Sequence, residues 1–157
     1  MKNQEIQQIY GYHAVKAALK NSKRSHLSLF ITEKYKDLVK KNKKIPKTKI
    51  LTTKEMTKLF GNENVTQGIV LNTTPLQAKN INEIFFKIKE NEQSLIVVLD
   101  QVTDPQNIGS IMRSCALFNC NDLIVAKDHA PNITPALSKS ASGAVELINY
   151  IKVVNIK

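Results

Sequence analysis

Leu95-Ile-Val-Val-Leu99-Asp-Gln-Val-Thr-Asp104-Pro-Gln-Asn107-Ile-Gly109-Ser-Ile-Met-Arg113 is the stretch around which the chain is organised. Its first five residues form a continuous apolar run, bounded by polar Asn91-Glu-Gln-Ser94 and by a polar loop. That pattern suits a strand covered on both faces in a parallel sheet. A helical period opens near Asn107, with Ile108, Ile111, Met112 and Cys115 at i, i+3, i+4 and i+7. It stops near Asn119-Cys-Asn-Asp122, and a second apolar run, Leu123-Ile-Val-Ala126, follows. Strand, loop, helix and strand within ~30 residues make a βαβ unit. Open parallel sheets bind ligands at the carboxyl ends of their strands. Chemistry is therefore expected in the loop from Gln101 to Gly109.

That loop has its own logic. Pro105 fixes its φ and pushes Asp104 toward extended geometry, and Asn107 is a good N-cap for the helix that follows. Gly109 and Arg113, four residues apart, share a helix face. With no side chain at Gly109, a polymer backbone has room to approach beside the Arg113 guanidinium, whose planar fork suits phosphate. The chain has only two arginines, Arg24 and Arg113, against twenty-one lysines, so arginine here implies a need for the fork. A capped helix whose surface arginine pairs with a carboxylate fits the same spacing, and both readings stand at this point.

Asp104-Pro-Gln-Asn107-Ile-Gly109-Ser-Ile-Met-Arg113-Ser-Cys-Ala116, with Phe118 beyond it, resembles the first signature motif of the SpoU/TrmH family of RNA ribose 2′-O-methyltransferases, members of the knotted SPOUT class. Ser140-Ala-Ser-Gly143-Ala-Val-Glu146 is similar to the family's small-residue run ending in Gly-Ala and Glu. Tyr10-Gly-Tyr-His13-Ala-Val15 and Gln67-Gly68-Ile-Val70 resemble its N-terminal substrate-binding domain, which is similar to ribosomal protein L30e. Within the family the chain resembles the subfamily that modifies a guanosine of bacterial 23S rRNA. The resemblance implies S-adenosylmethionine as methyl donor, RNA as substrate, and catalytic roles for Arg113 and Asn107 supported by Gly109 and Glu146. It also implies a homodimer, while two cysteines without Cys-x-x-Cys spacing fit a reducing cytoplasm.

Two further family motifs, which form the knot, much of the donor pocket and much of the dimer interface, are expected beyond Lys157, so no donor-binding residue is assigned here. The expected fold is α/β: a small L30e-like substrate-binding domain over residues 1–75, a linker and leading helix over 76–93, and over 94–157 the N-terminal part of a SPOUT parallel-sheet domain, truncated before the knot. A non-catalytic RNA-binding protein that keeps the basic first domain and uses the second as a scaffold is the rival reading, and tRNA is the rival substrate. A dinucleotide oxidoreductase is set aside, because Gly109 is the only glycine after the strand where a Gly-rich turn is needed.

Composition sets the outer bounds. A formal charge of +10 favours a polyanionic partner, although a lysine- and asparagine-rich bias also arises from an AT-rich genome. Residues 34–58 hold ten lysines and only two acids, and Lys40, Lys41, Lys43, Lys44 and Lys47 are the RNA-binding candidates. With no tryptophan and few aromatics, recognition by base stacking on many rings is not supported. No run approaches the ~20 apolar residues of a membrane span, and the N-terminus has no signal-peptide core. Cys115 and Cys120 lack Cys-x-x-Cys spacing and the three histidines lack metal-ligand spacing, so no metal is expected. His13, at a helix start, has a structural or RNA-contacting reading.

Elsewhere the pattern predicts a helix through Tyr12, Val15, Ala18 and Leu19, and strands at Leu27–Ile31, Lys49–Leu51 and Thr66–Leu71. Thr52-Thr-Lys-Glu55 predicts a capping box opening a helix that Gly61 ends. Residues 72–80 read as the linker, and Ile81, Ile84, Phe85 and Ile88 as a helix packing on the second sheet. Thr134-Pro135 opens a helix running to about Ala144, and Asn149–Val154 is the next strand.

Overall fold

A computed structural model describes residues 5–40, 47–90 and 94–156. The chain divides into two compact units, residues 1–76 and 77–157.

The first unit carries a four-stranded sheet in the order β1-β4-β2-β3, with β1 Gln7–Tyr10, β2 His26–Ile31, β3 Lys47–Ile50 and β4 Ile69–Thr73. β4 runs antiparallel to both its neighbours, and β2 and β3 are parallel. Alternation along the strands puts Ile9, Leu29, Ile31, Ile69 and Leu71 in one buried cluster with Ala14, Val15 and Ala18 of α1 (Tyr12–Lys20). Tyr35 and Leu38, from a 3-10 turn (Glu33–Tyr35) and α2 (Lys36–Lys40), pack against the same cluster. α3 (Thr53–Phe60) has the expected capping box and buries Met56, and its Phe60 ring meets Phe30 at 4.9 Å. Arg24 is 5% exposed, and its Nη1 donates to Gln7 Oε1 (2.7 Å) and to the Thr74 carbonyl (2.8 Å), stapling β1 to the exit of β4.

Three expectations in this unit are corrected. Thr66 ends a short helix, α4 (Glu63–Thr66), and the strand starts only at Ile69, after Gln67 (φ 55) and Gly68 (φ 74) turn the chain through the left-handed region. A Cβ on Gly68 would lie 2.7 Å from Thr32 Oγ1, which is why the turn carries glycine. Asn72 and Thr73 belong to β4 rather than to a linker, and Thr73 is fully buried. β1 lay outside the expected elements: Gln7-Gln-Ile-Tyr10 contributes only Ile9 to the core.

The second unit opens with α5 (Ile81–Glu90), of whose expected stripe Ile84 is buried and Phe85 is 55% exposed. A three-stranded parallel sheet follows in the order β5-β6-β7, with β5 Ile96–Leu99, β6 Asp122–Ala126 and β7 Asn149–Val153. Between them run α6 (Pro105–Leu117) and α7 (Pro135–Ser140), which pack on each other and bury Ile108, Met112, Cys115 and Leu137. The expectation that Leu95–Leu99 is covered on both faces is corrected: β5 is an edge strand of this sheet and Val98 is 48% exposed, while the covered central strand is β6, with Leu123 and Val125 buried. α7 is shorter than expected, because the chain leaves it after Ser140 and turns at Ser142 (φ 50) and Gly143 (φ 96) into a 3-10 turn, Ala144–Glu146.

Tyr150 is 9% exposed and its hydroxyl donates to the Pro131 carbonyl (3.0 Å), and burial pushes its phenol up to about 12. The unfolded phenol ionises near pH ~10. The Tyr150 contribution to stability is therefore complete below that pH and is lost as pH rises through about 12. In an absorbance titration of the native chain a tyrosine step is expected near pH 12, and Tyr150→Phe removes it.

Candidate functional site

In a parallel sheet every carboxyl end lies along one edge, and the pairs Leu99↔Val125 and Val125↔Lys152 place the exits of β5, β6 and β7 side by side there. Leaving β5, Gln101 takes φ 58, a left-handed conformation that costs a non-glycine residue energy. Asp104 is extended (φ −75, ψ 121), as Pro105 requires.

The N-cap of α6 is Asp104 rather than Asn107, and the helix starts at Pro105, two residues earlier than the period suggested. The Asp104 carboxylate accepts from the backbone N–H groups of Gln106 (3.2 Å) and Asn107 (3.1 Å), while Pro105 at the first helical position has no N–H to satisfy. Asp104→Ala is expected to destabilise the second unit by about 1 kcal/mol in urea melts, with Asp104→Asn closer to the parent. The change of cap frees Asn107. Its side chain is exposed and makes no hydrogen bond among the described residues.

Arg113 is exposed and forms no ion pair with a carboxylate among the described residues, which disfavours the surface-pair alternative. Its Nη2 donates to Ser110 Oγ (3.3 Å), one turn toward the helix start. Helical side chains lean that way, so the guanidinium points along α6 toward the carboxyl edge. Asn107 and Arg113 are six residues apart, about 9 Å along the helix axis, and they share no hydrogen bond. A ligand reaching both must lie along the exposed strip that includes Ser110 and Ser114. Glu146 is half-buried at the end of the 3-10 turn, on a segment packed against α6.

The expected role of Gly109 is corrected. Gly109 is buried, and a Cβ there would stand 1.8 Å from Ser140 Oγ, 2.9 Å from Ser140 Cβ and 2.8 Å from the Ala141 backbone nitrogen. The backbone that needs the space is the chain's own α7. Ser140 Oγ lies 3.2 Å from the Pro105 carbonyl and 3.0 Å from that of Leu137 and donates there, so the small-residue run clamps the start of α6. Sequence reasoning missed this pairing, because its partners lie thirty-one residues apart.

Of the RNA-binding candidates, Lys47 is exposed at the start of β3. Lys41, Lys43 and Lys44 lie outside the described residues, as does the side chain of Lys40. The two stretches singled out in the first unit meet: the Tyr12 backbone N–H donates to Gln67 Oε1 (3.2 Å). Cys115 and Cys120 are buried free thiols, and burial together with Cys120 pushes the Cys115 thiol up to about 11, so it is no nucleophile at neutral pH. Among the described residues no cluster of His, Cys, Asp and Glu is placed to hold a metal, and no helix is long and apolar enough to cross a membrane.

Residues 8–79 match the profile of RNA 2'-O ribose methyltransferase substrate binding, and residues 94–157 match that of the SpoU rRNA Methylase family. The chain is 32% identical over 158 residues to a 23S rRNA (guanosine-2'-O-)-methyltransferase of Coxiella burnetii, covering 97% of this chain and 63% of that protein. A second such enzyme, from Blochmanniella floridana, is 29% identical, covering 94% of this chain and 61% of its relative. The chain thus spans somewhat less than two thirds of the curated relatives it matches. In fold it is similar to the SpoU methyltransferase AviRb of Streptomyces viridochromogenes, solved with AdoMet (TM-score 0.71, 19% identity, 96% of this chain and 55% of that one). An AdoMet-bound rRNA methyltransferase of Sinorhizobium meliloti gives a TM-score of 0.67 at 16% identity, over 94% of this chain and 54% of the other. With both halves of the family pattern present in order, the chain belongs to the SpoU family of RNA ribose methylases.

Proposed function

We propose that this chain supplies the RNA-binding unit and the ribose-orienting half of the catalytic unit of an S-adenosylmethionine-dependent RNA 2′-O-methyltransferase, acting on a guanosine of 23S rRNA in the cytoplasm. The observation that carries the reading is Arg113: an exposed guanidinium, without a carboxylate partner among the described residues, leaning along α6 toward the carboxyl edge. S-adenosylmethionine, when bound, supplies the methyl group on a sulfonium. No residue of this chain is assigned to hold it: the Ser138–Gly143 run buries Ser138, Ala141 and Gly143 and packs on α6, and the chain spans 63% of the Coxiella burnetii relative.

Arg113 holds the phosphate next to the target ribose and places positive charge beside the 2′-oxygen as negative charge builds there. Guanidinium stays protonated at any working pH, so it orients the hydroxyl rather than accepting its proton. Asn107 offers an amide at the entry to the same strip, and Glu146 supports the turn packed against α6. Holding the acceptor in line is the larger part of the task, because the sulfonium is already activated. The homodimer implied by the family belongs to the same proposal.

The test is transfer of a labelled methyl group to 23S rRNA by the chain alone and by the chain extended with the remaining third of the Coxiella burnetii relative. Transfer to a guanosine ribose by the extended protein supports the reading. No transfer by either, with RNA still bound, favours the rival reading of a non-catalytic RNA-binding protein. Transfer to tRNA instead would correct the substrate.

A further inference from the structure

A cavity of about 390 Å³ in the first unit lies between α1 and the segment of the 3-10 turn and α2. It is within the size range of small-ligand sites, roughly 300–1,000 Å³. Tyr12, Lys16, Leu19 and Lys20 line it from α1 and Lys34, Tyr35, Asp37 and Leu38 from the opposite side. The α1 residues stand at i, i+4, i+7 and i+8, so they form one stripe, beside the stripe that α1 buries on the sheet. The Tyr12 and Tyr35 rings are stacked, with centroids 5.6 Å apart and planes 13° from parallel. Lys16 Nζ lies 5.4 Å from the Tyr12 ring centroid, and Lys34 Nζ lies 5.4 Å from that of Tyr35. Lys36 is paired with Glu33, whereas Lys16, Lys20 and Lys34 form no ion pair with a carboxylate among the described residues.

A stacked aromatic pair, its Tyr35 packed on the core, with ammonium groups around it that are held by no carboxylate among the described residues, is the combination that holds an unpaired nucleotide: the base continues the ring stack and the cations hold its phosphates. We propose that this cavity is a nucleotide subsite for single-stranded RNA, with the base on the Tyr12–Tyr35 pair and the flanking phosphates on Lys16, Lys20 and Lys34. The proposal rests on the reading that the first unit binds RNA, and it moves the contact from the lysines around 40–47 to residues that sequence spacing does not connect. The ammonium groups now over the rings sit on flexible stems, so an incoming base displaces them toward its own phosphates. A base held in a duplex cannot enter, so the site selects loops and ends.

The test uses the full chain and a fluorescein-labelled RNA hexanucleotide, read by anisotropy, with a 12-base-pair RNA duplex as competitor. Stacking on an aromatic ring contributes about tenfold or more to affinity. Tyr35→Leu is expected to weaken hexanucleotide binding about tenfold and Tyr35→Phe to leave it within about twofold. Lys16→Gln and Lys34→Gln, surface changes that leave the core intact, are each expected to lower the salt slope by about 0.7. RNA is also expected to quench tyrosine fluorescence, which is readable because the chain has no tryptophan. Parent affinity and parent salt slopes in these variants, with binding lost when Lys41, Lys43 and Lys44 are changed together, would overturn the subsite and leave the RNA-binding reading standing. Failure of the parent chain to bind either RNA would remove both.

Discussion

Arg113→Lys, introduced into the chain extended with the rest of its relative, is expected to cut single-turnover methylation about 100-fold or more while RNA binding weakens far less. Lysine keeps the charge, but it replaces a planar fork with a point charge on a flexible stem. If the guanidinium holds both a phosphate oxygen and the reacting hydroxyl, the loss falls in the transition state, where one donor to a developing oxyanion contributes about 100- to 1000-fold. With RNA saturating, single-turnover kinetics separate this from weaker binding, which leaves the rate under saturation unchanged. Ser110→Ala, which removes the group the guanidinium now donates to, is expected to cost less than tenfold, because Ser110 only pre-aims the side chain. Unchanged turnover in Arg113→Lys would take Arg113 out of the mechanism.

Gly109→Ala is expected to destabilise the second unit by about 3 kcal/mol, the upper part of the range for overpacking. Alanine is the better helix former by ~1 kcal/mol, and on an open helix face the change would stabilise. Here the new methyl group meets Ser140 and the Ala141 backbone nitrogen at 1.8 to 2.9 Å. A hydroxyl can rotate away, but a backbone nitrogen and a Cβ cannot, so α6 and α7 must separate. In a unit of this size that loss lowers the melting temperature by about 15 °C. Ser140→Gly in the same chain should restore only part of it, because the Ala141 contact remains and the Ser140 hydrogen bonds to Pro105 and Leu137 are lost. A melt unchanged by Gly109→Ala would show that α7 does not rest on this glycine.

The second unit's succession of strand, helix and strand was legible because its apolar periods are long and its stop signals strong. The capping box at Thr52 and the Thr134-Pro135 start were legible because both are encoded within four residues. The cap of α6 was misplaced because two good capping residues, Asp104 and Asn107, flank the same turn, and the period of the first buried residues points to the later one. Proline at the first helical position is the local signal that favours Asp104. β1 was not legible, because a strand that buries only Ile9 shows no alternation. Gly109 against Ser140, and Tyr12 against Tyr35, are pairings across the fold, and no period within one segment carries them.

Protein synthesis meets the first unit in an awkward order. Among the described residues its first strand, β1, pairs with β4 alone, and the register joins Gln7 to Thr73. Arg24 likewise waits for the Thr74 carbonyl. While the ribosome adds the intervening residues at about 5–20 per second, Gln7–Tyr10 has no strand to pair with, and β2 lacks its antiparallel partner. The sheet closes only when Ile69–Thr73 emerges and slots between two waiting strands, so translation arrested before that point leaves a nascent chain with an open, sticky sheet edge.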